Sequence, residues 1–228
     1  MQLAIALLVL VAATAIGADA IDRRDDLGFV GATLAAGIAY ALASAILLRR
    51  GGSRGTALVL VLAIAAVLRG LAMTPAPNLS TDAFRYVWDG RVQAAGFSPY
   101  THVPADPVLA HLRDARIYPN INQKERAVTI YPPVAEMIFL AGYALGDSVA
   151  AMRAVMLGFD VLTIAALLAL LARLALPLAW VALYAWHPLP LWEFAGHGHI
   201  DAAATALIVL GLLAAVSGRQ AATGAIFA

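Results

Sequence analysis

The sequence contains no cysteine, and only 13% of its 228 residues are charged. The first absence excludes disulfides and thiolate metal sites, and it leaves the redox compartment open. The second, together with 62% hydrophobic residues and a mean hydropathy of +0.83, excludes an ordinary soluble domain, in which about a quarter of the residues are charged. So much apolar surface cannot be buried in one core, and the bilayer is its natural solvent. An excess of charge of either sign is also lacking. The net charge of +1 argues against a nucleic-acid partner. There is no internal repeat and no low-complexity tract. No Lys or Arg precedes the first apolar run, which therefore reads as a span and not as a signal peptide.

What is present is a series of long apolar runs, over 3–18, 27–48, 57–73, 149–174, 177–191 and 200–216. Each approaches the length that crosses roughly 30 Å of hydrocarbon. Each is expected to be a helix, because unpaired backbone is too costly in lipid. The predicted fold is all-α: a polytopic transmembrane helix bundle with extracytoplasmic juxtamembrane helices. The chain reads as one incomplete membrane domain over 1–228, since Ala221–Ala228 resembles the opening of another apolar segment. Residues 132–146 are too short a run to span, and Glu136 interrupts them, so they are expected to form a juxtamembrane helix. Positive charge supports that reading. Arg49, Arg50, Arg54, Arg173 and Arg219 all fall in the cytoplasm only if this segment does not cross. A polar loop over 74–130 and the turn Trp192–Asp201 then share the outer side.

The loop holds the first cluster of chemistry. On a helix from Asp82 to Gln93, the residues Asp82, Arg85, Tyr86, Asp89 and Gln93 share one face, and Phe84, Val87, Trp88 and Val92 the other. This predicts an amphipathic helix lying on the membrane, with its aromatics at headgroup depth and Arg91 snorkelling out of the apolar face. Asp82 is either a general base or the N-cap of this helix, with Ser80 and Thr81 as rival caps. Asp89 reads first as an i, i+4 partner of Arg85.

A second cluster lies in the string YAWHPLPLWEFAGHGHID, residues 184–201. Pro188 and Pro190 break the helix, and Glu193, His197, His199 and Asp201 follow. His197, His199 and Asp201 are candidate ligands for a divalent cation, so a cation cofactor stays open; the alternative is a polar turn with Asp201 capping the next helix. Within the 149–174 span, Arg153 and Asp160 share a face at i, i+7. They read either as partners of one another, or with Arg153 as a phosphate ligand.

The ordered strings STDAFRYVWDGRV, GFSPY, IYPP and AWHP with FAGHGHID resemble bacterial polyprenol-phosphate-sugar-dependent glycosyltransferases of the GT-C superfamily, most closely the mannosyltransferase-like integral membrane members. The resemblance covers about residues 78–204. It implies a polyprenyl-phosphate hexose donor, mannose favoured, a glycan or lipid acceptor, and inverting transfer at the extracytoplasmic face of the cell membrane. The acidic residue of the family's first large outer loop falls on Asp82. His199 and Asp201 match the family's later string, whereas His187 and His197 depart from it. If the chain is such a transferase, Arg85, Arg153, Lys124 and Arg126 are expected to neutralise the leaving phosphate, where developing charge calls for cations. Tyr86, Trp88, Tyr100 and Tyr131 are then expected to stack on sugar or polyprenyl groups. Asp89, Glu193, His199 and Asp201 complete the substrate site. The rival readings are a transporter or lipid flippase, which would place its ionisable residues at the midplane of broken, repeated helices, and a non-catalytic membrane scaffold.

Overall fold

A computed structural model describes residues 1–49 and 55–227; Arg50 and Arg54 lie outside the described residues. Among those described there are helices and loops and no strand. Helices α1 (Gln2–Arg23), α2 (Asp26–Arg49) and α3 (Gly55–Met73) come first, followed by α4 (Asp82–Ala94) and α5 (Pro133–Leu145). The long α6 (Val149–Arg173), the short turns α7 (Ala182–Ala185) and α8 (Pro188–Pro190), and the helices α9 (Asp201–Val216) and α10 (Gln220–Phe227) complete the chain. Helices α1, α2, α3 and α6 are long and apolar enough to cross a membrane. Their outward faces carry bare aliphatic side chains such as Leu8, Leu34, Ile38, Val59 and Val161, as suits contact with lipid.

The first hairpin is closed by Arg24, whose left-handed backbone (φ 57°) ends α1, and by Asp25, whose carboxylate accepts the Gly28 N–H and starts α2. The buried stripe of α2 is Ala32, Ala36, Ala39 and Ala43. Small residues at this spacing let the two backbones approach closely, which is how helices gain packing energy where lipid removes the hydrophobic drive.

The ends of the helices sort into two groups. Asn78 reaches the Ile21 carbonyl at the end of α1, and Arg153 near the start of α6 reaches the Ala72 carbonyl at the end of α3. Those termini share one end of the bundle with the 74–130 segment. At the far end of α6 the Arg173 side chain meets Ser217, so α6 and α9 run parallel. Arg49, Arg173 and Arg219 therefore gather away from the loop.

Residues 177–191 are not the single helix their hydropathy suggests. A 3-10 turn (Leu178–Val181), α7, α8 and a π-helical turn (Leu191–Gly196) succeed one another. Pro188 and Pro190 lack the N–H groups a continuous helix needs. The backbone groups set free find partners on neighbouring helices: Tyr40 donates to the Leu183 carbonyl and Arg69 to that of Ala185. Trp186 fixes the segment by donating from its indole to the Val61 carbonyl. Broken helices persist at membrane depth only with such compensation.

Both ends of α5 are held by the 74–130 segment. At its start Tyr100 donates to the Tyr131 carbonyl, and at its end Arg91 binds Asp147. Thirteen residues span only about 20 Å, and both ends of α5 lie at this end of the bundle.

Candidate active site

Helix α4 is where the sequence expectation fails most plainly. It does not lie on the surface, because every residue from Arg85 to Val92 is buried. Helix α5 covers one side so closely that a Cβ on Gly90 would collide with the Phe139 carbonyl oxygen. Leu109, Ile117 and Ile121 from the loop join the same core and cover the other side. Arg91 does not snorkel. Its guanidinium binds Asp114 and Asp147, both at 2.7 Å, and the Leu112 carbonyl at 2.9 Å.

Tyr86 and Trp88, expected to stack on substrate, are core residues instead. Tyr86 stacks on Phe139 with centroids 4.4 Å apart and meets Tyr131 edge-on. Trp88 is 1% exposed and packs on Tyr118. Tyr100 stays exposed and Tyr131 half-buried.

The polar face of α4 meets a carboxylate whose partners the sequence reading does not foresee. Arg85 grips both oxygens of Asp89 at 2.8 Å, as the i, i+4 spacing predicts, and donates to the Ala127 carbonyl. Glu136 of α5 lies against this pair, 3% exposed, accepting from Thr129 at 2.6 Å and from Gln93 at 2.8 Å. Burial, opposed by Arg85, raises Asp89 to about 6. Burial and then the charge of Asp89 raise Glu136 to about 7. The signal was in the sequence: an ionisable residue inside an apolar run seldom lacks a partner or a role.

Asp82 opens α4 and is half-buried. Its main-chain N–H donates to Ser80 Oγ at 3.2 Å, and Asn122 approaches its Oδ1 at 3.4 Å. Ser80 Oγ lies 2.9 Å from His199 Nε2, and His199 Nδ1 lies 2.6 Å from Glu193 Oε2. The two clusters, far apart in sequence, therefore adjoin in one site. Hydrogen bonding to Glu193 raises the His199 imidazole above its ordinary value against the effect of burial, and the Asp82 and Asp201 carboxylates add to it. Glu193 is correspondingly lowered by His199.

The turn that presents His199 is seated on Arg153. Gly198 has φ +74°, and a Cβ there would come within 2.9 Å of Arg153 Cγ. Arg153 gives N–H groups to the carbonyls of Ala195, Pro75 and Ala72, so it acts as a clamp on the main chain. It does not pair with Asp160. That carboxylate is held by Arg69 at 2.6 and 3.1 Å and by the Tyr184 hydroxyl at 2.7 Å. Lys124 lies over the Tyr118 ring, and Arg126 is exposed on the same loop as Asn122.

His197, His199 and Asp201 do not converge as metal ligands. The His197 ring turns inward to the Trp192 carbonyl at 2.8 Å, and both nitrogens of His199 are engaged. Among the described residues no three His, Asp or Glu side chains form a metal-binding group.

Beside Asp201 an apolar cavity of about 190 Å³ opens between the starts of α5 and α9, lined by Pro132, Val134, Ile138, Ile200, Ala204 and Leu207 among others. Carboxylates at the mouth of an apolar groove can receive a polar head and an apolar tail together.

No curated protein and no solved structure matches the chain. Residues 6–228 match the family described as Alpha-(1->6)-mannopyranosyltransferase, N-terminal domain. With the membrane-length helices and the site above, that match, which spans nearly the whole sequence, makes this chain a membrane-inserted member of the alpha-(1->6)-mannopyranosyltransferase family.

Proposed function

We propose that the protein transfers mannose from a polyprenyl phosphate to a glycan or lipid acceptor at the extracytoplasmic face of the cell membrane, with Asp82 as general base. The observation that carries this reading is the meeting of Asp82 with the His199–Asp201 turn through Ser80, beside an apolar groove. Asp82 takes the proton of the acceptor hydroxyl as its oxygen attacks the anomeric carbon. The bond from that carbon to the phosphate oxygen breaks, and polyprenyl phosphate departs with the electron pair. A positioned carboxylate supplies about 10²–10⁴-fold in such a step. The family is named for an alpha linkage, and inversion to alpha requires a beta-linked mannosyl phosphate. A (1->6) linkage, as in that name, supports the 6-hydroxyl of the acceptor sugar as the attacking group.

Charge on the leaving phosphate needs cations nearby. The loop that brings Asn122 to Asp82 also carries Lys124 and Arg126, and His199 stands across from it. Arg85 is buried and bound to Asp89 and the Ala127 carbonyl, so it serves the carboxylate pair and not the leaving phosphate. Arg153 is assigned to holding the turn instead. Tyr100 and Tyr131 are the accessible aromatics for a sugar, and the apolar groove beside Asp201 suits the lipid tail.

Reconstitution of the natural gene product with labelled polyprenyl-phosphate mannose or glucose tests this. Label should pass from the mannose donor to an endogenous acceptor. Parallel reactions with EDTA decide whether a divalent cation takes part. Turnover of neither donor would overturn the proposal.

A further inference from the structure

Glu193, His199, Ser80 and Asp82 form one continuous hydrogen-bonded chain across three elements. Glu193 Oε2 lies on the π-helical turn, 2.6 Å from His199 Nδ1, in the range of a strong charge-assisted bond. The other ring nitrogen meets Ser80 Oγ at 2.9 Å, and that same oxygen receives the Asp82 N–H at 3.2 Å. We propose that Glu193 is a positioning residue for the transfer reaction: through His199 and Ser80 it fixes the first turn of α4 and so aims Asp82 into the cleft.

Each link has a physical reason. A histidine with one nitrogen bound to a carboxylate has its ring orientation and proton placement settled by that bond. Nε2 is thereby left facing Ser80. Among the described residues Ser80 is the side chain that accepts the Asp82 main-chain N–H, while Asn122 reaches only its carboxylate; Thr81, the residue before the helix, makes no capping bond. The chain is anchored at its far end. The Glu193–His199 turn sits on the buried Arg153, whose three bonds to Ala195, Ala72 and Pro75 tie the turn to α3. His197 cannot replace His199, because its ring points away to Trp192. A base misplaced by about 1 Å can cost roughly a hundredfold in rate, so an anchor of this kind should be visible in kcat.

This inference rests on the reading of Asp82 as the base, and the experiment separates the two. The natural gene product and its variants are reconstituted with labelled polyprenyl-phosphate mannose, and kcat and KM are measured with thermal unfolding as a control. Glu193→Leu and Ser80→Ala should each lower kcat by roughly tenfold to a hundredfold, with KM for the donor within about twofold. The double variant should be no worse than the worse single one, because both cut the same chain. Glu193→Gln, which keeps an oxygen to accept the Nδ1–H, should recover most of the loss. Unchanged kcat in Ser80→Ala, a loss confined to KM, multiplying penalties, or no rescue by Gln would each overturn the proposal. If Glu193→Leu fails to fold, Ser80→Ala and Glu193→Gln decide alone, by the same outcomes. An active Asp82→Asn would overturn the base assignment itself. An inactive Asp82→Asn beside a fully active Ser80→Ala would overturn only the positioning role.

Discussion

Arg69 of α3 and Asp160 of α6 form a buried two-pronged ion pair, with Nε–Oδ2 at 2.6 Å and Nη2–Oδ1 at 3.1 Å. Tyr184 adds a third bond to Asp160, and Arg69 reaches the Ala185 carbonyl of the broken segment. This is the lock that holds three membrane elements beneath the site.

Removing one member of such a pair leaves a buried charge without its partner, at about 3–5 kcal/mol. Asp160→Ala should therefore sharply lower the unfolding midpoint in detergent, whereas the double change Arg69→Met with Asp160→Leu should recover much of it. A single variant as stable as the wild type would show that the pair contributes nothing.

The absence of cysteine makes the protein a clean host for labelling. A cysteine at the exposed Glu125 should react with an impermeant maleimide in intact cells. One at the exposed Gln220 should react only after permeabilisation. Both reacting from the same side would overturn the outer-face assignment and with it the placing of both ends of α5 on that face.

The Asp89–Glu136 pair sets a pH dependence. Burial raises both folded values, to about 6 and about 7, above those of an unfolded chain. The folded state then binds more protons, so this contribution is complete below the unfolded values and is lost as pH rises through about 6 to 7. Unfolding midpoints measured from about pH 5 to 8 should fall for the wild type relative to Glu136→Gln. Parallel curves would contradict the shared burial.

The bundle was legible because hydropathy belongs to each segment by itself. Leu27–Leu48 or Val149–Leu174 need no partner to declare a membrane helix. The Arg85–Asp89 pair was legible for the same reason, since its spacing is local. Arg69–Asp160 was not, because 91 positions separate its members and Arg153 offered a nearer partner by helix geometry. The face of α4 was not legible, because its polar side is covered by Glu136, Thr129 and Tyr131, and burial of that kind depends on what packs against it. Asp82, His199 and Asp201 were singled out by their motifs, while Ser80, the link between them, passed as a helix cap.

The most direct test of the account is Asp82→Asn assayed for mannosyl transfer from polyprenyl phosphate, with unfolding and donor binding measured alongside. The account predicts a loss of about 10²-fold or more in turnover, with stability and donor binding near those of the wild type. Turnover at the wild-type rate would contradict it.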